Sequence, residues 1–71
     1  MSLAVCIDNG KYYLASLELF KIYRILPDAR AAEDDHLRVI DESGEDYLYP
    51  AEWFVPIDVP EAVEQALLRQ G

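Results

Sequence analysis

Apolar and polar residues alternate along this chain in short runs, and clusters of Pro, Gly and Asp separate the runs. Residues 3–8 (LAVCID) are compact and apolar and end at Asp8-Asn9-Gly10, a turn signal. They predict a first strand followed by a tight turn. Tyr12-Tyr13-Leu14 continues in β-favouring sequence, and Ala15 to Glu18 reads as a loop returning to the sheet. Residues 19–26 (LFKIYRIL) alternate, with Phe20, Ile22 and Arg24 facing one way and Lys21, Tyr23 and Ile25 the other. A helix competes for this run. Its β-branched and aromatic content, and the stop at Pro27-Asp28, favour a strand, because Pro cannot donate to a ladder.

Residues 27–35 (PDARAAEDD) predict a surface connection whose Ala-rich middle forms one helical turn. Residues 36–42 and 46–50 are the third and fourth strands, joined at Ser43-Gly44, where Gly reaches positive φ without steric penalty. A two-residue loop sets Val39 opposite Leu48 and Ile40 opposite Tyr47. A three-residue loop shifts every pair by one and sets Ile40 against Asp46. The first register groups apolar with apolar and is the one predicted. A Pro50-Ala51-Glu52-Trp53 corner leads into a last strand over 54–58, which Pro56 marks as an edge strand. A helix over about 59–70 follows, with Asp58 and Glu61 spaced as a capping box and Pro60 in a tolerated position. Val59, Ala62, Val63, Ala66 and Leu67 make one apolar stripe at helical spacing. A helix of about ten residues is not stable alone, so it docks on the barrel or on a second copy.

Five short strands, a Ser-Gly hairpin and a proline-led corner resemble an SH3-type barrel. The segment Tyr49-Pro50-Ala51-Glu52-Trp53-Phe54 carries the resemblance most closely: an apolar residue, Pro, two small or polar residues, an aromatic and an apolar residue. The resemblance implies a core role for Phe54, and a place for Pro50 and Trp53 on the outer face that many SH3 domains use for proline-rich ligands. The chain departs from that pattern at Cys6, which falls near a ligand-binding tyrosine, and at Leu37, which falls where the pocket tryptophan would be. The whole chain is also similar to a group of small bacterial proteins. They share Cys6-Ile7-Asp8-Asn9, the Lys-x-Tyr-x-x-Leu-Pro-Asp pattern of Lys21 to Asp28, and the block from Arg38 to Pro50. That similarity implies a bacterial origin and no particular chemistry.

Composition narrows the field. The 71 residues allow a single domain, with the barrel over about 3–58. At 52% hydrophobic residues, including five Tyr, two Phe and one Trp, a core can form. The net charge of −8 repels phosphate backbones and anionic lipid, so neither nucleic acid nor membrane is an expected partner. The six basic residues are scattered singly and make no basic stripe. The lone cysteine, Cys6, suits a reducing cytoplasm, and no signal-peptide pattern or apolar span is present in the sequence.

Seven of the fourteen acids fall within residues 33–46: Glu33, Asp34, Asp35, Asp41, Glu42, Glu45 and Asp46. A hard cation needs several oxygens converging on a point, and these do not follow the alternating pattern of a calcium loop. They read instead as a solvated hairpin that protects a sheet edge, or as a docking surface for a basic partner. His36 and Cys6 read as an ordinary surface histidine and a small buried hydrophobe. An acidic chain is a poor setting for lowering a thiol pKa. No Gly-rich phosphate loop, Cys/His metal spacing or nucleophile triad is legible, so no cofactor and no enzymatic activity is expected. The leading expectation is a protein-interaction module. Its binding surface combines Pro50, Trp53, Tyr47 and Tyr49 with Asp41, Glu42, Glu45 and Asp46, and its partner is a basic or proline-containing protein segment. The alternatives are a structural or regulatory homodimer joined through Val59, Val63, Ala66 and Leu67, and a small-ligand or metal sensor.

Overall fold

A computed structural model describes residues 2–13 and 15–70, with the backbone alone at Leu68 and Gln70; Leu14, in the β-favouring run expected after the first turn, lies outside them. The strands are β1 (Ser2–Cys6), β2 (Ile22–Leu26), β3 (His36–Ile40), β4 (Asp46–Pro50) and β5 (Phe54–Ile57). They form one antiparallel sheet in the order β4-β3-β2-β1-β5. Helix α1 (Ala29–Glu33) joins β2 to β3, a 3₁₀ turn (Ala51–Trp53) joins β4 to β5, and helix α2 (Glu61–Gln70) follows β5. This is the mainly-β, SH3-like class that the pattern predicts, with its short C-terminal helix. The sheet is not closed, however, and β4 and β5 are its two edges. Pro56 sits on edge strand β5, where its missing N–H removes nothing from the ladder to β1.

The core follows from strand alternation. Ala4, Cys6, Tyr23, Val39, Tyr49 and Phe54 point to one side of the sheet, and Leu17 drops onto them from the long loop between β1 and β2. Leu17 is fully buried, so this loop is held by its own apolar plug. Asn9 ties the same segment further, its side-chain amide donating to the Leu17 carbonyl at 3.2 Å. The outer face of the sheet carries Leu3, Val5 and Ile7 in β1 and its extension. Burial falls along that row, from Leu3, which is covered, to Ile7, which is 45% exposed. Asp28 caps α1 by accepting the Ala31 N–H at 2.9 Å and binds Arg38 of β3 at 2.8 Å, locking the helix to the sheet.

The expected hairpin register is wrong by one residue. The observed pairs are Val39 with Tyr47 and Ile40 with Asp46, the arrangement of a three-residue loop. The Gly44 N–H bonds the Asp41 carbonyl at 3.0 Å, and the Asp41 N–H bonds the Glu45 carbonyl at 3.1 Å. This is a β-bulge with Gly44 at its left-handed position, φ +84°. The same bulge occurs once more, where the long loop re-enters the sheet. The Phe20 N–H bonds the Cys6 carbonyl at 2.6 Å, and the Cys6 N–H bonds the Lys21 carbonyl at 2.9 Å. Here the left-handed residue is Phe20, φ 64°. A bulky side chain at such a φ costs about 1 kcal/mol or more relative to glycine. The bulge also delays the second strand, so β2 begins at Ile22 and not at Leu19.

Candidate functional site

The acids of the β3–β4 hairpin are engaged within the fold. Asp41 is only 6% exposed, and its carboxylate accepts from the Ser43 N–H and hydroxyl and from the Tyr49 hydroxyl. Burial alone would raise the Asp41 pKa; the hydrogen bonds from Ser43 and Tyr49 outweigh it and hold the carboxyl below the usual range. Burial and the same bond to Asp41 push the Tyr49 phenol up to about 12. Glu42 accepts from Lys21 Nζ and from the Tyr23 hydroxyl, both at 2.6 Å. Its pKa is lowered first by Lys21 and then by Tyr23. Burial, followed by the bond to Glu42, raises the Tyr23 phenol. The Tyr23 hydroxyl also accepts the Glu18 N–H at 2.7 Å, and the Glu42 N–H reaches the Ser16 carbonyl at 2.9 Å. Glu42 therefore stitches the long loop to the hairpin, while Asp41 ties the turn to β4. Asp46 pairs with Arg38 at 3.0 Å, and Glu45 accepts from the Tyr47 hydroxyl at 2.9 Å.

Trp53 lies at the boundary between core and surface. It is half-buried, packs against the core, and meets Tyr13 and Tyr49 at ring distances of 5.8 and 6.1 Å. Gly10, at φ +63°, lies over the indole so closely that a Cβ would stand 2.7 Å from Trp53 Cη2. The loop reaches this position through two side-chain-to-backbone turns, Asp8 accepting from the Gly10 N–H and Asn9 from the Lys11 N–H. Tyr47 is exposed, Tyr49 is buried and Pro50 is half-buried, so the aromatic residues expected to share one surface are divided between core and exterior.

Pro50 lines a shallow groove of about 390 Å³ with Asp34, Asp35, His36, Ala51 and Glu52. The backbone brings these together: β3 begins opposite the end of β4, and the Ala51 N–H bonds the Asp35 carbonyl at 2.8 Å. His36 Nδ1 lies 2.6 Å from the Asp34 carbonyl oxygen. Among the described residues, the carboxylates of Asp34, Asp35 and Glu52 have no ion-pair partner. The acid-rich pattern groups Asp34 and Asp35 with the hairpin acids and gives no role to Glu52, because the return of the Ala51–Trp53 turn onto Asp35 is not visible in local pattern. No group of three or more His, Cys, Asp or Glu is placed to hold a metal ion among the described residues.

The predicted stripe is divided. Val59 lies before α2, which begins at Glu61, and it and Leu67 are half-buried, with Leu67 beside Ile40 and the hairpin tip; Ala62, Val63 and Ala66 are exposed. Cys6 is buried, and burial pushes its thiol pKa up, away from reactivity. No described helix is long and apolar enough to cross a membrane. Comparison with family models, with curated proteins and with solved structures finds no match to this chain.

Proposed function

We infer that this protein is a non-enzymatic, cytoplasmic protein-interaction module whose partner presents a basic or proline-containing segment. The observation that carries the reading is the groove beside Pro50. Among the described residues no cation pairs with its carboxylates on Asp34, Asp35 and Glu52, whereas Asp41, Glu42 and Asp46 are already bonded to other side chains. A net charge of −8 draws cationic segments toward such a surface and raises their encounter rate. Trp53 is a poor position for testing the idea, because the indole supports the loop as well as the surface. The test is titration of a synthetic arginine-proline peptide against the wild-type protein and an Asp34→Asn/Asp35→Asn/Glu52→Gln variant. Three solvent-exposed pairs together predict roughly tenfold weaker binding by the variant, with a shallower salt dependence. Equal affinities for the two proteins rule out this groove as the site.

The exposed part of the α2 stripe favours a second reading, a homodimer. Val63 is 42% exposed between the exposed Ala62 and Ala66. Sedimentation over a wide concentration range decides it: a dimer that a Val63→Lys substitution dissociates supports this reading, and a monomer throughout excludes it.

A further inference from the structure

Two positions in the chain have the same bulge geometry and opposite side chains. Gly44 is the residue that geometry favours. Phe20 is one it disfavours, and its ring is 76% exposed, so core burial does not compensate for the backbone conformation. The bulge holds Phe20 against the Cys6–Ile7 peptide through the 2.6 Å bond to the Cys6 carbonyl. Ile7 is 45% exposed there, and Leu19 precedes Phe20 with equal exposure. Val55, 46% exposed, pairs with Val5 on the same outer face. One corner of the sheet thus carries four large apolar side chains in water, an arrangement that marks docking surfaces. Their charged neighbours are acidic. Asp8 follows Ile7 and Glu18 precedes Leu19, both exposed, while the adjacent cation, Lys21, is shared between Glu42 at 2.6 Å and Glu18 at 3.8 Å and so offsets only part of that charge. A second copy of this chain would bring acid against acid at such a corner.

We propose that Ile7, Leu19, Phe20 and Val55 form the anchoring site for a partner segment that carries bulky apolar residues flanked by Lys or Arg, with Phe20 as the central contact. The proposal rests on the interaction-module reading and gives the partner its apolar half. The probes are a labelled amphipathic leucine-lysine peptide and a control of the same charge with every leucine replaced by glutamine. Each is titrated by fluorescence anisotropy against wild type, Phe20→Gly and Phe20→Ser, and each protein is also melted. Wild type is expected to bind the leucine peptide at least tenfold more tightly than the control, and both variants should lose that difference. Phe20→Gly should melt about 4 °C above Phe20→Ser, because only glycine relieves the bulge.

If both variants keep the leucine preference while basic peptides still bind, the anchoring site is wrong and the interaction-module reading stands. If neither peptide binds wild type, both fail. A Phe20→Gly protein that melts far below wild type would make Phe20 a structural residue and overturn the proposal. A wild-type dimer that both variants dissociate would overturn it in favour of self-association.

Discussion

Two glycines with left-handed backbone are both required by conformation, but only one also by space. A Cβ at Gly44 would meet nothing within 4 Å, whereas at Gly10 it would strike the indole of Trp53 at 2.7 Å. Gly44→Ala should therefore cost about 1 kcal/mol, the conformational term alone. Gly10→Ala adds displacement of a packed ring and should cost about 2 kcal/mol or more. Urea melts of the two variants check the order, and equal losses would show that the loop yields without disturbing Trp53. At this scale the sequence was informative in part. Gly10 and Gly44 were legible as turn residues, but the ring over Gly10 was not, because forty-two residues separate Gly10 from Trp53. The pattern makes Phe20 one more residue of an alternating strand. Nothing local announces a left-handed bulge when glycine is absent from it.

The hairpin shows how an element can be foreseen and its register missed. Both strands and their turn were legible from alternation around Ser43-Gly44. Matching apolar with apolar favours the shorter loop, and the pattern marks Asp41 as a solvated acid. In the fold Asp41 is a buried acceptor, and its bonds to Ser43 and Tyr49 favour the longer loop. Asp41→Ala removes the carboxylate that accepts from the buried Tyr49 hydroxyl and from Ser43, at a cost of about 2–3 kcal/mol. Asp41→Asn keeps an acceptor and should recover part of that loss. Denaturant melts measure both, and an Asp41→Ala protein as stable as wild type would mean that the carboxylate does not set the turn. The C-terminal helix was placed by its stripe and begins at Glu61, where the Pro60 carbonyl accepts from Val63 and Glu64.

For the whole molecule, the carboxylates and phenols bonded to one another in and beside the hairpin set opposite limits on stability. Asp41 and Glu42 have depressed pKa values in the fold, against ordinary values of 3.8 and 4.5. Their contribution is present above those ordinary values and is lost as pH falls through the folded ones. Tyr23 and Tyr49 have raised values against an ordinary 10.0, so their contribution is present below pH 10 and is lost as pH rises toward the folded values. Stability should form a plateau across neutral pH, falling below about pH 4 and again above about pH 10. Melting temperature against pH measures this, and a Glu42→Gln protein should show a weaker acid-side fall. Unchanged stability from pH 7 to 3 would contradict the role given to both carboxylates.

The strand order also fixes a sequence of events. β3 and β4 are joined by a short turn, and β2 reaches β3 across α1, so these three strands can pair early. β1 has no such neighbour: it meets β2 only across the long loop, and its other edge waits for β5, where Leu3 pairs with Ile57. During synthesis the first strand to be made is therefore among the last to be fully partnered. Until β5 is available its apolar residues depend on β2, Leu17 and whatever else shields a nascent chain.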